Sequence, residues 1–320
     1  MRERLEYALV WSASKLIGML PRPAARSIGI ALGLTVFHLH RRLREVGMRN
    51  LALAFPQMSA DDRRRILRGE YISLGRQLAE VCLFPRYTRE NVSQVVVYSG
   101  LENYEQAFAR GKGVLFLTGH LGGWELSAFA HSLQGHPMWI VMRPLDNPYI
   151  DALVRRYRTM HGNRTVNKDD FIRGLLAAMR AGEVVGILMD TNMTPPQGVF
   201  VNFFGVPAYT ASGLARIALR TDAAVVPTFT TWDNKLGKYT LRFDPPLQLV
   251  RTGNGAAAYN GTANNGTPND RSATTEADIV ANTALFTGVI EDYIRRYPDQ
   301  WLWLHRRWKT RPEGEPPLYR

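Results

Sequence analysis

The segment Gly119-His-Leu-Gly-Gly-Trp-Glu125 follows directly on an apolar, β-prone run, Val114-Leu-Phe-Leu-Thr118. A histidine at the carboxyl end of a parallel strand faces the crevice in which open α/β sheets bind ligands. Five positions on lies Glu125. In a continuous helix that spacing puts two side chains on different sides of the axis, but a bend at Gly122-Gly123 lets them meet. The spacing therefore predicts that Glu125 accepts a proton-bearing ring nitrogen of His120, fixing the tautomer. The other nitrogen is then free to take a proton from a hydroxyl. Free backbone amides at Gly122 and Gly123, where a helix opens, are expected to stabilise a developing oxyanion. A structural histidine capped by a nearby carboxylate accounts for the same spacing. With no Ser or Cys in the motif, the chemistry predicted is direct attack by a substrate hydroxyl on an activated acyl group such as a thioester.

Other catalytic patterns are missing. The chain has no Gly-x-Ser-x-Gly elbow, Walker loop, His-Glu-x-x-His or strand-linked Gly-x-Gly-x-x-Gly, which argues against serine hydrolases, P-loop enzymes and zincins. His38 and His40 read as a helix-end pair, and no metal site is expected. A single cysteine, Cys82, excludes a disulfide scaffold.

The elements that must position His120 are visible as an alternation. Short apolar runs at Val95–Val97, Val114–Thr118, Met138–Met142, Val184–Met189, Val225–Thr230 and Tyr239–Phe243 alternate with helix-like segments at Glu102–Ala109, Trp124–Ser132, Tyr149–Met160, Phe171–Arg180 and Ser212–Arg220. This predicts an α/β fold: a largely parallel, mixed sheet flanked by helices. Upstream, Leu5, Ala8, Leu9, Leu16, Met19 and Leu20 share one side of a helix. Pro21 and Pro23 then break the chain before a second apolar helix at Ala24–Arg42, and Ser59 caps a basic helix ending near Pro85. The expected organisation is a helical region over residues 1–85 and an α/β core over 86–320. A Gly/Asn/Thr/Ala-rich insertion at 252–275 is read as a mobile surface loop.

Charge is concentrated at the ends. Over the whole chain, 40 Lys and Arg face 28 Asp and Glu, for a net charge of +12. Residues 1–50 hold nine basic and three acidic residues, and the chain from Arg295 onward holds seven and three. Basic residues beside apolar and aromatic ones at both ends favour a membrane surface over nucleic acid. In the amino-terminal stretch, Ser27–His40 gives only fourteen residues without a formal charge, short of the roughly 20 that a span requires. The first two helices are thus expected to form a hairpin lying in the lipid interface, or else a helix pair packed on the core. Trp11, Trp301, Arg306, Arg307 and Lys309 are expected at headgroup level, with packing of the tail tryptophans on the sheet as the alternative.

Further blocks line up behind the histidine motif: Met142-Arg-Pro-Leu-Asp-Asn-Pro148, Gly198-Val-Phe-Val-Asn-Phe-Phe-Gly-Val-Pro-Ala-Tyr-Thr210 and Trp301-Leu-Trp-Leu-His-Arg-Arg-Trp-Lys-Thr-Arg-Pro312. Together with His120-Leu-Gly-Gly-Trp-Glu125, they resemble the bacterial lipid A biosynthesis lauroyl/myristoyl acyltransferases, within the wider His-x4-Asp/Glu glycerolipid acyltransferase superfamily. The resemblance implies an enzyme at the cytoplasmic face of the bacterial inner membrane. It would transfer a fatty acyl chain from acyl carrier protein or CoA to a hydroxyl of a lipid A precursor, without cofactor or metal. It also implies His120 as general base and Glu125 as its orienting carboxylate, with Arg143, Arg158 and Asp190 lining the polar part of the site. Asp190-Thr-Asn192 and Gly123 depart from the family pattern. They leave lysophospholipid or phosphatidylinositol mannoside-type acceptors as alternatives, and a basic membrane-associated scaffold is the non-enzymatic one.

The remaining candidates have competing readings. Arg143 either holds a phosphate or forms a surface ion pair. Asp190 either positions a substrate hydroxyl or pairs with Arg143. Val199–Val206 either lines an acyl channel, touches lipid or belongs to the core. Thr210 and Ser212 read as helix N-caps first and substrate contacts second.

Overall fold

The computed structural model describes residues 1–167, 171–251 and 274–319 of the chain. Four helices come first: α1 (Arg2–Met19), α2 (Arg22–Leu39), α3 (Arg41–Ala54) and α4 (Ala60–Leu83). The α/β part follows as β1 (Val96–Ser99), α5 (Leu101–Ala109), β2 (Val114–Thr118), α6 (Trp124–Leu133), β3 (Trp139–Met142), α7 (Pro148–Arg158), β4 (Arg164–Asn167), α8 (Phe171–Arg180) and β5 (Val184–Leu188). Then come the hairpin β6 (Gly198–Phe203) and β7 (Val206–Ala211), α9 (Gly213–Thr221), β8 (Ala224–Asp233), β9 (Lys238–Phe243) and α10 (Glu276–Arg296).

Seven strands form one sheet in the order β1-β9-β8-β2-β5-β3-β4. Every neighbouring pair is parallel except β8 and β9, so the fold is α/β with the mostly parallel mixed sheet that the alternation predicts. Strand β2 shows why its run is apolar throughout. Leu115 and Leu117 enter a core with Phe229, Trp301 and Trp303, while Val114 and Phe116 enter another with Tyr104 and Phe129. Period-two alternation thus buries both faces of the strand.

Helix α2 packs along α4 through glycines. A Cβ on Gly29 would stand 2.2 Å from the Gly75 carbonyl oxygen, and one on Gly33 2.2 Å from that of Tyr71. With its inner face so committed, α2 leaves Ile28, Leu32, Val36 and Leu39 exposed. Helix α1 exposes Leu5, Leu9, Val10, Trp11, Leu16 and Met19 and buries only Ile17. Among the described residues, no helix is long and apolar enough to cross a membrane.

Several expectations need correction. Helix α2 begins at Arg22, with Pro23 inside its first turn, where a missing N–H costs nothing. It stops at Leu39, because His40 turns the chain and caps α3, a separate helix. Strands β4, β6 and β7 and helix α10 lie outside the predicted pattern. The insertion at 252–275 falls almost wholly outside the described residues. Its last residue, Thr275, instead opens α10 in a capping box with Asp278.

The Val199–Val206 block forms most of the β6–β7 hairpin, with Val201, Phe203 and Phe204 buried and Phe200 exposed. Thr210 is not a helix cap: it is a fully buried β7 residue whose hydroxyl donates to the Ala208 carbonyl. Ser212 does occupy the N-cap of α9, although its side chain caps no amide there.

Candidate active site

Strands β2 and β5 are parallel neighbours with Thr118 paired to Leu188, so the residues two positions beyond each, His120 and Asp190, emerge side by side at the carboxyl edge. Gly119 makes room for this approach, since a Cβ there would lie 3.1 Å from the Asp190 carboxylate. The His120 Nδ1–H donates to Asp190 Oδ1 at 2.8 Å, and the His120 backbone N–H donates to Oδ2 at 2.7 Å. The Trp301 indole N–H donates to the same Oδ2 at 2.7 Å. The Asp190 side chain is 1% exposed and that of His120 24%.

These contacts fix the electrostatics. Burial pushes the Asp190 carboxyl up, but the His120 charge and the hydrogen bonds from His120 and Trp301 outweigh it and bring the pKa down to about 2. Burial of His120 opposes its charged form, yet attraction and hydrogen bonding by Asp190 more than offset this, so its pKa is raised. An ionised carboxylate only accepts, so the ring proton sits on Nδ1 and Nε2 keeps its lone pair. That is the arrangement of a general base with an anionic orienting partner.

The carboxylate that holds the His120 ring is therefore Asp190 and not the expected Glu125. Glu125 lies in the first turn of α6 and is taken up by Arg158 from the end of α7. Arg158 Nε donates to Glu125 Oε2 at 2.9 Å, and Nη2 meets Oε1 in a second contact. This bidentate geometry suits a guanidinium and a carboxylate better than an imidazole would. The pair still borders the imidazole, with Glu125 favouring the charged form of His120 and Arg158 opposing it.

The glycine amides are also committed. Gly122 N–H donates to the Gln300 carbonyl and Gly123 N–H to that of Thr230, both at 2.8 Å, which removes them as oxyanion donors. Gly122 itself is required, because it has a φ of +60° and a Cβ would sit 2.1 Å from the Thr230 oxygen. At Gly123 a Cβ would come within 2.9 Å of the Tyr239 ring. Side chains at either position would spread the bend that turns β2 into α6.

The other expected site residues scatter. Arg143 follows β3 at the same sheet edge, but its side chain is 77% exposed and its partner is Asp146 at 3.6 Å, not Asp190. Of the residues expected at headgroup level, Trp301 and Arg307 are excluded because both are buried, as are Trp303 and Trp308. The tail folds back over the sheet as a strap. Arg307 donates to the Tyr209 carbonyl at 3.0 Å and to the Thr210 hydroxyl, bracing β7. Lys309 and Trp11 are exposed, and Arg306 is half-buried.

The Asp190-Thr-Asn192 departure has a structural account. The Asn192 amide group donates to the Thr310 hydroxyl at 3.1 Å and accepts the Thr310 N–H at 2.9 Å, a dual role that a carboxylate cannot fill. His305, which residue spacing alone does not assign to the site, accepts the Asn192 N–H on Nε2 at 2.9 Å, and burial holds its pKa down to about 4. A cavity of about 250 Å³ at the opposite sheet edge, among His136, Trp139, Arg164 and Glu183, contains none of these groups.

Residues 2–310 match the family described as bacterial lipid A biosynthesis acyltransferase. The chain is 30% identical over 306 residues to the lipid A biosynthesis lauroyltransferase of Escherichia coli K12, covering 95% of this chain and 91% of that one. It is 28% identical over 318 residues to the lipid A biosynthesis palmitoleoyltransferase of the same strain, covering 98% and 95%, and 24% identical over 301 residues to its lipid A biosynthesis myristoyltransferase, covering 93% and 85%. With a histidine–aspartate pair at its strand ends and a family match over nearly its whole length, this chain belongs to the bacterial lipid A biosynthesis acyltransferases and is itself an acyltransferase.

Proposed function

We propose that the protein esterifies a hydroxyl of a lipid A precursor with a fatty acyl chain carried as a thioester on acyl carrier protein or CoA, working at the cytoplasmic face of the bacterial inner membrane. The observation that carries this reading is the His120–Asp190 pair, with a free Nε2 on a partly exposed ring. In the proposed cycle, Nε2 takes the proton of the acceptor hydroxyl as its oxygen attacks the thioester carbonyl. The C–O bond forms, the tetrahedral oxyanion collapses, the C–S bond breaks, and the proton returns to the departing thiolate. Arg158, the cation that acts on His120, is the group assigned to the oxyanion, while exposed Arg143 is assigned to a phosphate of donor or acceptor.

Membrane association is supported by the apolar residues that α1 and α2 leave uncovered: Leu5, Leu9, Leu16 and Met19 on the first helix, Ile28, Leu32, Val36 and Leu39 on the second. Their basic neighbours would meet anionic headgroups, each worth about 1 kcal/mol near such a surface. Mass spectrometry of lipid A from a strain lacking the protein tests this reading. One acyl chain should be missing, restored by the wild-type chain but not by His120→Ala. Unchanged lipid A with an altered phospholipid or glycolipid would move the acceptor elsewhere.

A further inference from the structure

We propose that Trp301 is a positioning residue for acyl transfer: its indole N–H, the third donor on the Asp190 carboxylate, locks that carboxylate against the His120 ring and keeps it an anion. The inference rests on the proposed role of His120 as base. Asp190 Oδ2 is held by the His120 backbone N–H and by Trp301, both at 2.7 Å, while Oδ1 is left for the ring. A buried carboxylate with an unfilled acceptor site is unstable as an anion and free to turn, so a rigid donor answers both problems. Indole is suited to this task, being a donor only and unable to exchange roles with the carboxylate.

The surroundings show that the donor is held in place. Trp301 is 1% exposed, and its ring meets Phe203 at 5.5 Å and Trp303 at 4.6 Å. Its strap is sewn to the histidine loop on either side: Gly122 N–H donates to the Gln300 carbonyl at 2.8 Å, and Leu302 N–H to the His120 carbonyl at 3.0 Å. Trp301 also forms an isolated antiparallel bridge with Leu121. The side chain thus reaches Asp190 from a segment in register with the base it serves.

The charged and titratable groups acting on the pair are Glu125 from α6, Arg158 from α7, and His305 and Arg307 from the strap. None of them donates a hydrogen bond to Asp190 in place of Trp301 among the described residues. Removing the indole N–H leaves more negative charge on the carboxylate, which then binds the protonated imidazole more tightly. It also loosens the geometry from which Nε2 acts.

The test is Trp301→Phe in the full chain, assayed for kcat, KM and the pH profile of kcat/KM with a labelled acyl thioester, beside His120→Ala. The expected result is a kcat lower by roughly ten- to a hundredfold, as for loss of one hydrogen bond to a charged group, with KM within about twofold and the acid limb moved to higher pH. A wild-type kcat, or a fall in kcat with an unmoved acid limb, overturns the proposal, the latter marking Trp301 as packing alone. Should the variant fail to fold, the indole N–H resonance of Trp301 in the wild-type protein decides instead. Titration of that resonance with the midpoint of the acid limb supports the proposal, and a pH-independent signal overturns it. If His120→Ala is fully active, the reading of the base fails; if only Trp301→Phe behaves as wild type, the positioning role alone fails.

Discussion

Asp190→Asn removes the anion from the dyad while keeping its shape, and the structure sets the size of the effect. Three donors converge on the two carboxylate oxygens, whereas an amide offers one oxygen and two N–H groups. If the amide oxygen takes the Oδ2 position, satisfying the His120 backbone N–H and Trp301, its NH2 faces Nδ1. The ring proton must then move to Nε2, and the base is lost. If the amide is flipped, its NH2 opposes two donors in a buried site. Loss of a charge-assisted hydrogen bond is worth about 1.5–3 kcal/mol, and each 1.4 kcal/mol is about tenfold in rate. The bond alone therefore accounts for a factor of ten to a hundred. Tautomer reversal takes the loss toward the roughly 10⁴-fold seen when the aspartate of a serine-protease triad is changed in the same way. The assay is kcat for transfer of a labelled acyl chain from its thioester, with thermal unfolding as the control for folding. A folded Asp190→Asn enzyme within threefold of wild type would refute this account of the base.

Three further outcomes follow. Glu125→Gln and Arg158→Gln should each lower activity, and the double variant should be little worse than either. The coupling expected for a contacting, largely buried pair is about 1–3 kcal/mol, and additive losses in a double-mutant cycle would separate the two residues. Leu9→Asp and Leu16→Asp, at positions 73% and 65% exposed, should leave the melting temperature nearly unchanged. Each should weaken co-sedimentation with anionic vesicles by about 1.5–3 kcal/mol, and unaltered binding would remove α1 from the lipid interface. Gly29→Ala should destabilise the protein by about 1–3 kcal/mol in denaturant unfolding, since the new methyl would press on the Gly75 carbonyl, and an unshifted midpoint would show that α2 and α4 can separate at no cost.

Much of this architecture is written locally. The period-two core of β2, the Ser59 cap of α4 and the proline-marked entry to α2 are short-range signals, and each predicted element is present within a few residues. What eluded the sequence depends on strand order. Alternation of strands and helices does not reveal that β5 inserts between β2 and β3, so the partner 70 positions from His120 loses to the one five positions away. Distance along the chain favours Glu125, but α7 brings Arg158 to it. The tail misleads for a related reason. Trp with Arg is the composition of a headgroup zone, yet the same composition also describes a buried strap whose Arg307 lies over the Phe203 ring at 5.0 Å and bonds to β7. Only long-range packing distinguishes them. The Gly122-Gly123 bend was legible as a bend, whereas the commitment of its amides to Gln300 and Thr230 was not.

The central claim is that the His120 imidazole removes the proton from the attacking hydroxyl. Acyl transfer by His120→Ala, measured as the rate of label appearing in the purified lipid acceptor, tests it most directly. The account predicts a folded protein slowed by about 10²- to 10⁴-fold, the contribution typical of general-base catalysis. Wild-type turnover from that variant would contradict it.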